Sequence, residues 1–275
     1  MSIGGSIKRS VIYLLATLWL LVAGVPFYFM AQTGFKKQFE FLTSIWGLPK
    51  QFILTNYATI LRGNFFHFLA NSLTVVSVSV FLILVVSSLA AYVFARIRFG
   101  LSGVLFTAVI AGLVIPIHVT LIPVYLLTTR VGLYDTLWAL VGPYVAFSIP
   151  ITVFLLTEFM REIPRELEDA ARIDGCGPMR SFFTLILPLS MPGLATMAIY
   201  NAVFLWNEFV FAFILTSSTA KRTLPLGIWE YQGQYSANIP IIMALLTLSS
   251  LPLIVAYLIG QERLVKGIMA GALRG

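Results

Sequence analysis

The chain has 275 residues, 59% of them hydrophobic and 11% charged, with a net charge of +7 at neutral pH. Soluble domains carry about a quarter charged residues, so this composition excludes an ordinary soluble protein and selects the integral membrane class. The eighteen lysines and arginines are too dispersed for a nucleic-acid footprint, the single Cys176 excludes an intrachain disulfide or thiolate cluster, and His67 and His118 match no metal-ligand spacing.

A hydrocarbon core about 30 Å thick takes roughly 20 apolar helical residues. In chain order six stretches qualify: Val11 to Ala31, Leu69 to Ala95, Leu101 to Leu127, Leu137 to Phe159, Leu189 to Leu215 and Ile239 to Ile259. The runs are continuous, without the two-residue alternation of barrel strands, so an all-α polytopic membrane protein with six transmembrane helices is expected. Lys8 and Arg9 precede the first span, whose length favours a retained signal-anchor over a cleaved leader. Breakers fall inside three later spans: Gly112, Pro116 and Pro123 interrupt the third, Gly142, Pro143 and Pro150 the fourth, and Pro188, Pro192 and Gly193 open the fifth.

Lysine and arginine placement sets orientation. With the N-terminus inside, the inner side holds eleven of the eighteen and the outer side seven, four of which sit in the one loop between the first two spans. Both termini are therefore expected in the cytoplasm, and with them the segment between spans four and five.

That segment, residues 162–188, places eight charged residues in its first nineteen positions. Pro164 suits a first helical turn, and Glu166, Glu168 and Asp169 put negative charge at the positive end of the helix dipole. Gly175 is a stop signal, so Arg165 to Asp174 reads as a three-turn helix, and Met179 to Leu187 as a second that leads into Pro188. Leu167, Ala170, Ala171 and Asp174 fall near one face, and the two alanines allow close approach of a partner. A helix lying on headgroups would prefer a basic polar face, whereas the acidic balance of this one suits a protein socket.

LEDAARIDG followed by LILP at Leu185 to Pro188 resembles the coupling segment of ABC importer permeases, the pattern E-A-A-x-x-x-G-x9-I-x-L-P. Asp169 stands where that family has glutamate, Ala170, Ala171 and Gly175 match, Leu185 replaces isoleucine, and Leu187 and Pro188 match. NSL at Asn71, AAYVFARIRF at Ala90, LIPVYLLTTRVGLYDT at Leu121, WNEFVFAFIL at Trp206, RTLPLGI at Arg222 and the tail VKGIMAGALRG resemble the carbohydrate-uptake branch. The resemblance spans nearly the whole chain. It implies a single transmembrane domain over residues 1–275, in the plasma membrane of a prokaryote, importing a sugar by alternating between inward-open and outward-open states. It further implies a second homologous permease subunit, two ATPase subunits that bind ATP and magnesium, and an extracellular solute-binding protein, with no cofactor on this chain.

Under that resemblance Leu167, Glu168, Asp169, Ala170, Ala171, Asp174, Gly175, Leu187 and Pro188 couple to an ATPase subunit. Ala270, Gly271 and Arg274 of the tail reach toward the same interface, and the outer loop Thr216 to Asn238 faces the binding protein. Asn201, Asn207 and Glu208 are the polar groups of the fifth span; such groups are costly inside spans, so they either bond helix to helix or, under the resemblance, line a pathway or contact the sister subunit. A continuous helix puts Glu208 roughly 27 Å from Ser190 at about 1.5 Å per residue. Two other classes stay open at this point. An ion-gradient transporter or channel would show internal repeats and paired intramembrane carboxylates, and a membrane enzyme a nucleophile-base or metal set.

Overall fold

The structure, a computed structural model, describes residues 3–232 and 237–272, with side chains described for residues 9–232 and 237–258. The described residues are helical: α1 (Ile3–Gly34), α2 (Gln38–Thr43), α3 (Thr55–Arg62), α4 (Phe65–Arg96), α5 (Ser102–Ala111), α6 (Leu121–Arg130), α7 (Trp138–Arg161), α8 (Arg165–Ile173), α9 (Pro178–Ser181), α10 (Leu187–Leu189), α11 (Met191–Trp206), α12 (Val210–Leu215) and α13 (Ile239–Ala272). Four of these are long and apolar enough to cross a membrane, and six crossings result if each of two bent helix pairs counts as one.

The third and fifth spans are both interrupted, the third at a breaker that the sequence marked and the fifth after Trp206, where the sequence led to a continuous helix. The third turns by 91° between residues 114 and 117, where Ile115 and Pro116 are extended. Pro116 forces this: the residue before a proline is driven out of the α region and the proline supplies no N–H. The 71° bend falls between residues 189 and 191, where the short segment from Pro178 meets the fifth span, and α11 ends at Trp206, so Glu208 is not carried on a continuous helix. The fourth span corrects in the other direction. α7 runs unbroken through Pro143 and Pro150, because its packing against α5, α11 and α12 holds its course.

The chain divides into two compact units, residues 1–67 with 227–252, and residues 68–226 with 253–275. In the first, the turn after α1 is fixed by polar side chains that satisfy backbone carbonyls. The fully buried Lys36 donates to the carbonyls of Ser44 (3.0 Å) and Ile45 (2.8 Å), and Asn56 donates to Gly34 (2.9 Å) and Lys36 (2.8 Å). A Cβ on Gly34 would lie 2.5 Å from the Tyr57 hydroxyl, so only glycine lets α3 close against the end of α1. The α1 side chains from Val11 to Ala23 are exposed, an apolar surface suited to lipid or to another subunit.

In the second unit α7 is the central post. It packs against α5 and α11 and buries Leu140, Tyr144, Val153, Leu156 and Met160. Two glycines set the spacing: a Cβ on Gly112 would meet Pro150 at 2.9 Å, and one on Gly193 would meet the Phe159 ring at 2.9 Å. The core at one end joins Ala91, Tyr92 and Ala95 of α4, Met160 of α7, Phe182 and Ile186, and Leu194 and Met197 of α11. Farther along, Asp135 adopts φ 57° and accepts from the backbone N–H groups of Ser217 (2.8 Å) and Ser218 (2.9 Å), tying the start of α7 to the residues after α12.

Candidate functional site

The charged segment folds much as its spacing dictates. Pro164 caps α8 from an extended conformation, Glu166 and Glu168 occupy the first turn, and Arg172 the last. Asp174 is the C-cap rather than a helical residue. Gly175 follows at φ +81°, its N–H bonding to the Arg172 carbonyl and that of Cys176 to the Ala171 carbonyl, both at 2.9 Å. This crossed pair of bonds is the Schellman closure, which requires the left-handed conformation that glycine adopts without strain. α9 then begins at Pro178, runs through a wider π turn over Phe182–Ile186 and reaches α10 with Pro188 exposed near its start.

α8 has two distinct faces. Leu167, Asp169, Ala170, Asp174 and Gly175 are exposed, Ala171 and Leu187 are half-buried, and Ile173 is 87% exposed. Ile173 extends the apolar part of this surface, Met179 on α9 is exposed as well, and reading the small residues alone missed both. Glu168 points the other way: its side chain is 7% exposed and faces the 2% exposed Arg96 side chain, Oε2 to Nε 3.5 Å. Arg96 also donates to the carbonyls of Met160 (2.5 Å) and Ile163 (2.7 Å), and the Tyr92 hydroxyl donates to that of Pro178 (3.1 Å). Glu168 is thus an internal anchor and does not belong to the outward surface. The sequence signal was the i, i+4 pair Tyr92 and Arg96 at the end of an apolar helix, opposite an acidic segment. Removing one partner of such a pair strands the other charge, at a cost of about 3–5 kcal/mol.

The polar residues of span five separate. Asn201 is fully buried and donates to Thr152 Oγ1 (3.0 Å) and to the Met197 carbonyl (2.8 Å), a helix-to-helix tie between α11 and α7. Asn207 and Glu208 line a cleft of about 480 Å³ together with His118, Tyr144, Phe147, Phe204, Phe209 and Phe211. Glu208 accepts from the Tyr144 hydroxyl (2.6 Å) and from the N–H groups of Phe211 (2.8 Å) and Ala212 (3.3 Å), so its carboxylate starts α12 and is pinned by α7. Asn207 donates back to the Val203 carbonyl at 2.8 Å and is exposed. Aromatic faces with a few fixed polar groups can take a ring-shaped polar solute or a bulky side chain of a second subunit. Arg274 lies outside the described residues, and for Ala270 and Gly271 only the helical backbone is described.

Residues 83–269 match the family described as the inner membrane component of binding-protein-dependent transport systems. A putative ABC transporter permease protein of Caldicellulosiruptor sp. is 55% identical over 264 residues, covering 96% of each chain. The trehalose/maltose transport system permease protein MalG of Thermococcus litoralis is 33% identical over 275 residues, 98% of each. Among solved structures, a chain of the bacterial ABC transporter involved in import of the acidic polysaccharide alginate superposes with a TM-score of 0.73 at 21% identity, covering 95% of this chain and 98% of that one. The chain belongs to the binding-protein-dependent transport system inner membrane component family, the permease subunits of ABC importers.

Proposed function

We propose that this chain is one of two permease subunits in an ATP-driven importer of a saccharide, and that α8 is where an ATPase subunit engages it. The whole chain then acts as one transport domain with both termini in the cytoplasm, and residues 162–188 are its coupling segment. ATP and magnesium bind to the two ATPase subunits, and an external binding protein delivers the solute. The end-to-end likeness to a trehalose/maltose permease supports the saccharide.

One observation carries the coupling role. A nine-residue helix, closed by the Gly175 turn, offers exposed Leu167, Ala170 and Ile173 and the C-cap Asp174, while its opposite side is locked to the membrane helices through Glu168. Such an element transmits displacement, where a solvated loop would absorb it. Closure of the ATPases would push α8, and the Leu187–Pro188 junction would carry the motion to α11, whose 71° bend is already set. The resulting rearrangement is a rigid-body rotation between inward-open and outward-open arrangements. The cleft at Asn207 and Glu208 would lie on the solute path or against the sister permease.

The test is Ala170→Glu in the assembled transporter. It should abolish ATPase association and solute uptake while the permease still inserts. Normal uptake by that variant would end the coupling assignment.

A further inference from the structure

The anchor beneath α8 has a geometry that a docking face alone does not call for. Arg96 is the last residue of α4, and from there its guanidinium reaches three other elements. It bonds to Met160 in the last turn of α7, to Ile163 in the connection, and faces Glu168 on α8. One turn back, Tyr92 bonds to Pro178 at the start of α9 and packs its ring on Phe182 with centroids 5.1 Å apart. A single end of a single membrane helix therefore holds the entry, the body and the exit of the charged segment.

We propose that Arg96 is a positioning residue that makes α4 a second route from α8 into the membrane, so that α8 cannot be displaced without carrying α4 and α7 with it. The inference rests on α8 being the docking element. The covalent links alone, residues 162–164 from α7 and the π turn that leads to the Leu187–Pro188 junction, leave α8 free to tilt when pushed. The Arg96 fork adds contacts in different directions and removes that tilt. A planar guanidinium presents its donors in a fixed fork to two carbonyls and a carboxylate, a pre-set geometry that the flexible lysine ammonium lacks. Stability alone does not account for the arrangement, because a buried ion pair is commonly no better than apolar residues of similar size.

The experiment uses the complete transporter in proteoliposomes, with ATPase subunits and binding protein, and reads solute uptake and ATP hydrolysis in the same sample. Arg96→Met, Arg96→Lys and the double variant Arg96→Met with Glu168→Leu are compared with the unaltered protein. The double variant leaves no stranded charge, and Arg96→Lys keeps one cation, so at least one variant folds and assembles. Solute moved per ATP should fall about tenfold in the methionine and double variants, with lysine in between, as expected for loss of a coupling network. An unchanged ratio in every variant that assembles, even at reduced yield, would make the pair merely structural and overturn the proposal. The two ideas fail separately. If Ala170→Glu abolishes uptake while the Arg96 variants keep the normal ratio, docking stands and the α4 route falls. If Ala170→Glu transports normally, docking itself has fallen.

Discussion

Gly175 holds φ +81° with open space around its Cα, so a side chain there meets no clash but must adopt a strained backbone. Gly175→Ala should lower stability by about 1 kcal/mol, visible as a lower midpoint in detergent thermal unfolding. An unchanged midpoint would mean that the turn is not closed as described. Asp135 offers a pH test. Burial alone would raise its pKa, but the N–H groups of Ser218 and Ser217, the Ser218 hydroxyl and the Lys221 charge outweigh burial and hold it below the ordinary value of 3.8. A depressed carboxyl stabilises the fold above its unfolded pKa and loses that contribution as pH falls through the folded one. Unfolding midpoints of the unaltered protein should therefore drop more steeply below about pH 4 than those of Asp135→Asn, which is less stable at neutral pH. Parallel profiles would contradict the assignment. At this scale Gly175 was legible because a stop glycine has a local cause. Glu168 was not, because its partner Arg96 lies some seventy residues away, as the 67-residue separation of Arg96 from Ile163 illustrates.

Helices show the same division between local and tertiary causes. Six apolar runs were readable from length alone, and the third breaks at Pro116, among the breakers that the sequence marked. Pro143 and Pro150 were marked on equal grounds, yet α7 passes through both. The difference is burial: α7 is packed on several sides, while the Ile115–Pro116 stretch is exposed. The break after Trp206 had no breaker to announce it. There Glu208 competes for the backbone, accepting from Phe211 and Ala212 and starting a new helix under the Tyr144 hydroxyl. Packing between α7 and α11 depends on the missing side chain at Gly193, where a Cβ would sit 2.9 Å from Phe159. Gly193→Ala should destabilise by about 1–3 kcal/mol, the range for overpacking, with partial recovery when Phe159→Leu is added. Thermal unfolding of the two variants decides this, and additive losses would argue against the contact.

Across the whole chain the functional reading depends on which side of the membrane α8 occupies. Positive charge counts predict an inner position, and the chain carries its own reporter, since Cys176 is the sole cysteine and is half-buried just after α8. A membrane-impermeant thiol reagent should label inverted vesicles and leave intact cells unlabelled at Cys176, and labelling of intact cells would place the segment outside. Family membership, from residues 83–269, supports transport driven from outside this chain and leaves the ion-gradient and enzyme readings without support. What the sequence carried best was α8 with its closing glycine turn, because a capped helix needs particular residues at particular spacing. The cleft lined by His118, Tyr144 and Glu208 was legible only in part, since it is assembled by α7 and by two interrupted spans.

Cross-linking from Ile173, the more exposed of the two large apolar side chains that α8 presents, tests the central claim most directly. In a Cys176→Ser background, Ile173→Cys should cross-link to an ATPase subunit in the assembled transporter, and the efficiency should change when ATP is bound. A fully assembled, transporting complex in which Ile173→Cys forms no cross-link to either ATPase subunit, in any nucleotide state, would contradict the account.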